Sequence, residues 1–190
     1  MSPRPPCVLL GVTGSIAAYK AAELVGLLVR MPCEVHVIMT RSAQQFITPL
    51  TFQCLSRNPV LLSSFSETSE WKPAHIELAD RADLLLIAPA SANILAELAH
   101  GMASHPLTEI ALACRAPLLI APAMNGKMWS HPATQHNTAI LKERGAEFIG
   151  PDSGMLACGY EGAGRLCDPQ VIAARVSERL GNRGIVPESA

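Results

Sequence analysis

Aromatic residues make up only 4% of this 190-residue chain, and charged residues only 16%. With so few rings to stack on bases and a formal net charge of −1, it has neither the stacking platforms nor the basic field that nucleic acid requires. The same balance offers no polybasic face to an anionic lipid surface. No apolar run reaches the roughly 20 residues of a membrane span, and Met1-Ser-Pro-Arg-Pro-Pro6 lacks the apolar core of a secretory signal. The six cysteines, at 7, 33, 54, 114, 158 and 167, form no CxxC pair and no Cys/His metal spacing. A disulfide framework does not suit a chain this long and this apolar. The expectation is a reduced, cytoplasmic protein without metal, membrane or nucleic-acid partner.

What the chain has is apolar residues, 49% of the total. That is ample for one domain over 1–190, with a core at about 6–180 and a flexible tail from 181. So low a share of charge also suggests that cofactor or other subunits cover much of the surface. Cys7–Val12, Glu34–Met39, Asp83–Ala88, Ala116–Ala121 and Ala146–Ile149 read as buried strands. Between them, Ser15–Arg30, Pro73–Arg81, Ser91–Gly101, Pro106–Cys114 and His131–Gly145 read as helices, with Ser15 as a candidate N-cap. Thr40–Ser56 reads as short helices broken near Pro49, Ser63–Lys72 as an exposed loop, and Pro169–Leu180 as a closing helix. Strands alternating with helices and buried on both faces predict a single-domain α/β fold with a doubly wound, mainly parallel sheet, flavodoxin-like or Rossmann-like.

Ligands of such sheets sit beyond the carboxyl ends of the strands. The first strand-to-helix turn, Gly11-Val-Thr-Gly-Ser-Ile16, has glycines for close approach and a helix start suited to a phosphate. It is not GxGxxG, and no acidic residue ends the second strand, so a mononucleotide fits better than a dinucleotide. The third turn, Pro89-Ala-Ser-Ala-Asn93, again presents short polar groups. Each turn alone is equally a cap; three on one edge point to an anionic cofactor.

Two segments fit no regular element. In Pro122-Ala-Met-Asn-Gly-Lys-Met-Trp129, the Asn125 amide stands among soft apolar side chains that suit a flat ring, though an Asx turn would also explain it. The long loop Gly150–Asp168 carries Cys158 among Gly154, Gly159, Gly162 and Gly164, where a thiol could donate a proton or attack a substrate, or be incidental. His75 opens a helix beside Glu77, as either a titrating or a capping group. The other five histidines have no comparable context.

Gly14-Ser15, Pro89–Asn93, Pro122–Trp129 and Leu156-Ala-Cys-Gly-Tyr-Glu-Gly-Ala-Gly-Arg165 together resemble the homo-oligomeric flavin-containing cysteine decarboxylases, over about residues 6–180. Within that family the resemblance is to the branch that converts 4′-phosphopantothenoylcysteine to 4′-phosphopantetheine and CO2 in coenzyme A biosynthesis, through thioaldehyde and enethiol intermediates. It implies FMN held by Gly14, Ser15, Ile16, Thr40, Ser42, Ser91, Ala92, Asn93, Ile94 and Ala123. It implies a catalytic set of His75, Asn125 and Cys158, and a substrate clamp including Met124, Asn125, Met155, Leu156, Ala157 and Arg165. In this pattern His75 moves a proton, Asn125 holds the substrate carboxylate, and Cys158 protonates the enethiol as it is reduced.

The resemblance also implies a homotrimer or trimer-based assembly, with His75 acting on a neighbour's flavin, and a separate ligase that joins cysteine to phosphopantothenate. Ile94 departs from the family's usual threonine, which removes one hydroxyl toward the flavin phosphate. Two other roles share the scaffold, a lantibiotic-type peptidyl-cysteine decarboxylase and a non-catalytic flavin-binding regulatory subunit. The Cys158 loop argues against the first, and the absence of long acidic extensions against the second.

Overall fold

The computed structural model describes residues 4–64, 73–155, 159 and 161–181. Five parallel strands form the central sheet: β1 (Cys7–Val12), β2 (Glu34–Met39), β3 (Leu84–Ala90), β4 (Leu118–Pro122) and β5 (Glu147–Phe148), in the order β2-β1-β3-β4-β5. This is the flavodoxin-type winding, in which the chain reverses direction across the sheet between β1 and β3. β1 and β3 are buried along their whole lengths because helices cover both faces. Val8, Leu10, Leu84 and Leu86 point toward α1 (Ala18–Leu28), α2 (Pro49–Ser56) and α8 (Pro169–Gly181). Cys7, Leu9, Leu85 and Ile87 point toward α3 (Ala74–Arg81), α4 (Ala92–Ala99), α5 (Pro106–Ala113) and α7 (Pro132–Glu143). The period-two alternation of a strand thus feeds two separate apolar clusters.

Three expectations are corrected. Ser15 is not the cap of α1: Ala17 holds that position, and the Ser15 hydroxyl accepts the Ala17 N–H at 3.3 Å within the preceding turn. The segment after β4 is partly helical, since α6 (Gly126–Ser130) starts at once with Asn125 as its cap. The expected loop over 150–168 contains an antiparallel ribbon, β6 (Asp152–Met155) paired with β7 (Glu161–Arg165). Its glycines conceal the strand signal: Gly154 and Gly164 adopt φ of 151° and 147°, a backbone that side-chain-bearing residues avoid. Residues 65–72 of the expected exposed loop and residues 182–190 of the tail lie outside the described residues.

Candidate active site

The turns after β1, β3 and β4 meet the β6–β7 ribbon around a cleft of about 630 Å³ at the carboxyl edge of the sheet, a size suited to a small-molecule ligand. Its base is built by close backbone approaches. A Cβ on Gly14 would lie 2.5 Å from the Ser42 Cβ, so only glycine lets the first turn pass that close to the chain after β2. Thr13, 1% exposed, ties the two central turns together: its hydroxyl donates to the Pro89 carbonyl at 2.6 Å and accepts the Ser91 N–H at 2.9 Å. The hydroxyl of Ser91 then caps α4 by accepting the Ile94 N–H at 3.3 Å.

The two segments without regular sequence patterns form the other wall. The Met124 N–H donates to the Gly164 carbonyl at 2.9 Å. A Cβ on Gly164 would sit 2.3 Å from the Met124 carbonyl oxygen, so the ribbon lies flat on the asparagine loop. Asn125 in turn accepts the Lys127 N–H at 2.8 Å through Oδ1, which starts α6 and fixes the loop's exit.

The cleft collects Gly14, Ser15, Ile16, Ser91, Ala92, Ala123, Met124, Asn125, Met155 and Arg165 from the expected set. It does not collect five other described residues of that set: Thr40, Ser42, Asn93, Ile94 and His75. The Thr40 hydroxyl accepts the Ala43 N–H, and Ser42 serves as the packing surface for Gly14. Asn93 donates to Glu97 at 3.0 Å on the exposed side of α4. Ile94 is 1% exposed because its side chain points into the core, and its N–H is already taken by Ser91. Leu156, Ala157 and Cys158 lie outside the described residues.

His75 does not line the cleft; it opens α3 and faces α5, with Nδ1 3.7 Å from Glu109 Oε2. Met128, expected as part of the soft apolar surface beside Asn125, lines the cleft, and so do residues without an expected role, among them Tyr19, Lys20 and Phe46. Tyr19 and Lys20 lie in the first turn of α1, just after Ile16, so the start of that helix carries them to the cleft, the one signal that the sequence held.

The cleft's described lining contains two cations, Lys20 and Arg165, and no carboxylate. Among the described residues the N–H groups of Gly14, Ser15 and Ile16 meet no acceptor, so the first turn presents free donors at the start of α1. Free amides, short hydroxyls, two cations and a methionine-lined wall fit a flavin mononucleotide.

A model of the family described as "Flavoprotein" matches residues 2–181. The chain belongs to the flavoprotein family. This flavoprotein is 50% identical over 175 residues to a probable phosphopantothenoylcysteine decarboxylase of Streptococcus mutans, covering 91% of this chain and 98% of that one. It is 46% identical over 180 residues to the coenzyme A biosynthesis bifunctional protein of Bacillus subtilis, covering 95% of this chain but only 44% of that protein. The flavoprotein thus spans under half of that bifunctional relative.

Two solved structures share its fold at 35% identity. One is a PPC decarboxylase mutant complexed with pantothenoylaminoethenethiol, at a TM-score of 0.83 with 94% of this chain and 100% of that one covered. The other is the FMN-binding protein AtHal3, at a TM-score of 0.81 with 96% and 100% covered.

Far from the cleft, Cys7, Glu34 and His36 place ligand-type atoms within 4.8 Å of one another at the amino edge of the sheet. Arg81 occupies the Glu34 carboxylate at 2.6 Å, and burial pushes the Cys7 thiol up to about 11. Burial also holds His36 below its ordinary value, reinforced by the Arg81 charge. The cluster is therefore organised around an ion pair and a neutral thiol, and not as a set of anionic donors.

Proposed function

We propose that this flavoprotein is an FMN-dependent decarboxylase that converts 4′-phosphopantothenoylcysteine to 4′-phosphopantetheine and CO2 in coenzyme A biosynthesis. The observation that carries the reading is the joining of the Asn125 loop to the glycine ribbon across one cleft, with free amides and two cations at its edges. When bound, FMN supplies a reversible two-electron step that lets the substrate's thiol-bearing carbon accept the electron pair left by CO2.

The chain's own groups do the rest. Gly14, Ser15, Ile16 and Ser91 hold the phosphate end of the cofactor. Asn125, fixed by its own cap hydrogen bond, orients the substrate carboxylate. His75 moves a proton near the reacting thiol and carboxylate. Cys158, in the sequence between β6 and β7, would protonate the enethiol as the two electrons first taken up by the flavin return to it, and that return makes the overall reaction redox-neutral.

A trimer-based assembly completes the reading. Ile16, Tyr19, Phe46, Met128 and Met155 are each at least 48% exposed around the cleft, an apolar rim suited to a second copy. His75 does not line this chain's own cleft, which fits its action on a neighbour's cofactor. The five described cysteines are free thiols, in keeping with a cytoplasmic setting.

The test is mass spectrometry of products after incubation of the flavin-loaded protein with 4′-phosphopantothenoylcysteine. Loss of CO2 and formation of 4′-phosphopantetheine are expected, with Cys158→Ser accumulating the unreduced enethiol. No CO2 loss overturns the reading; an unreduced enethiol from the unaltered protein indicates a decarboxylase of the peptidyl-cysteine type.

A further inference from the structure

His75 and Glu109 meet where α3 packs against α5, with side chains 18% and 24% exposed. The imidazole Nδ1 is buried and, among the described residues, has no hydrogen-bond partner. The group nearest to supplying one is Glu109 Oε2 at 3.7 Å, and the same oxygen accepts the Ser64 hydroxyl at 2.5 Å. An approach of about 0.8 Å would make the imidazole contact a normal hydrogen bond, a closure that catalytic pairs commonly complete only when substrate arrives. Glu109 is the sole charged residue of α5. The other charged groups near α3 are engaged at its far end: Arg81 pairs with Glu34 at 2.6 Å and Glu77 at 3.6 Å, and His36 lies 3.6 Å from Glu34. Asp80 also belongs to α3 itself. Across the helix interface, Glu109 is the carboxylate that faces His75.

We propose that Glu109 is a positioning residue for His75: its carboxylate, tethered by Ser64, holds a proton on Nδ1 and so presents Nε2 as the base. An imidazole with a free Nδ1 can carry its neutral proton on either nitrogen, and only one of those tautomers leaves Nε2 able to accept. A carboxylate at Nδ1 selects that tautomer, fixes the ring, and stabilises the imidazolium once Nε2 has taken the substrate's proton. Nothing on α3 itself supplies this restraint, since the helix starts after Pro73 without a side-chain cap. The inference rests on the reading that His75 acts in the decarboxylation.

The test pairs long-range nitrogen NMR of the flavin-loaded protein, labelled in histidine, with steady-state kinetics; the signal lost in His75→Asn identifies the residue. In the unaltered protein the neutral His75 should be the Nδ1–H tautomer, a result that needs no variant to fold. Glu109→Gln keeps the shape and removes the charge. It should shift the neutral His75 population toward the Nε2–H tautomer, and kcat should fall about tenfold with KM changed less than about twofold. Glu109→Asp should recover much of both the tautomer preference and the turnover. An Nε2–H tautomer in the unaltered protein, or an unchanged tautomer balance in Glu109→Gln, overturns the inference. A tautomer balance that shifts in Glu109→Gln while kcat stays at the parent value keeps the pairing and overturns the assignment of His75 itself.

Discussion

Replacing Gly164 with alanine probes the contact that joins the two halves of the site. The new Cβ would start 2.3 Å from the Met124 carbonyl oxygen and 3.3 Å from the Gly126 nitrogen. Both are backbone atoms, so no flexible side chain can yield, and the ribbon must lift by about 1 Å to restore ordinary contact. That lift breaks the Met124-to-Gly164 hydrogen bond, now 2.9 Å long, worth about 1 kcal/mol. Alanine at φ of 147° adds about 1 kcal/mol of backbone strain. The docked state thus loses about 2 kcal/mol, and hydrogen exchange at the Met124 amide should quicken about thirtyfold. A shift of about 1 Å in the wall that carries Asn125 should lower turnover of 4′-phosphopantothenoylcysteine about a hundredfold. Flavin absorbance should persist, because the turns after β1 and β3 are untouched. Wild-type exchange at Met124 together with wild-type turnover would refute the claim that this close approach positions the loop.

Thr13→Val should leave the Pro89 carbonyl and Ser91 N–H buried and unpaired, at a cost of about 2–4 kcal/mol. In a chain of this size that lowers Tm by roughly 6–12 °C, and FMN should bind more weakly by titration; a variant that melts with the parent would show that Thr13 is no strut. The thiols of Cys7 and Cys33 are each raised from 9.0 to about 11, by burial first. Because the folded chain keeps these protons longer than the unfolded one, their contribution is complete below about pH 9 and is lost as pH rises toward 11. Urea unfolding should show stability declining across that window, with a smaller decline in Cys7→Ala; a flat profile would contradict it. A maleimide should label exposed Cys54 well before buried Cys7, and the reverse order would be incompatible with the packing of β1.

The main elements were legible because their patterns are local. Cys7–Val12 and Glu34–Met39 are apolar runs bounded by turn residues, and α5 begins at a proline that has no N–H to lose. The ribbon was not legible, since Gly154 and Gly164 remove the side chains that a strand pattern consists of and are needed for contacts made elsewhere in the chain. Thr13 went unnoticed for a related reason: within its turn it is a short polar residue, and its two partners lie 76 and 78 positions away.

Composition and periodicity by themselves determined a doubly wound sheet, the edge at which a ligand must bind, and the turns that form it, because each depends on neighbours within one helix or strand. Which turn residues face the cleft was decided only by the tertiary packing. Ile94 and Asn93 sit in the right motif, yet the orientation of α4 directs one into the core and the other toward Glu97. Lys20 and Glu109 carry no motif at all. They gain their places because α1 starts at the cleft and α5 packs on α3, and such through-space juxtapositions leave no trace in the spacing of residues along the chain.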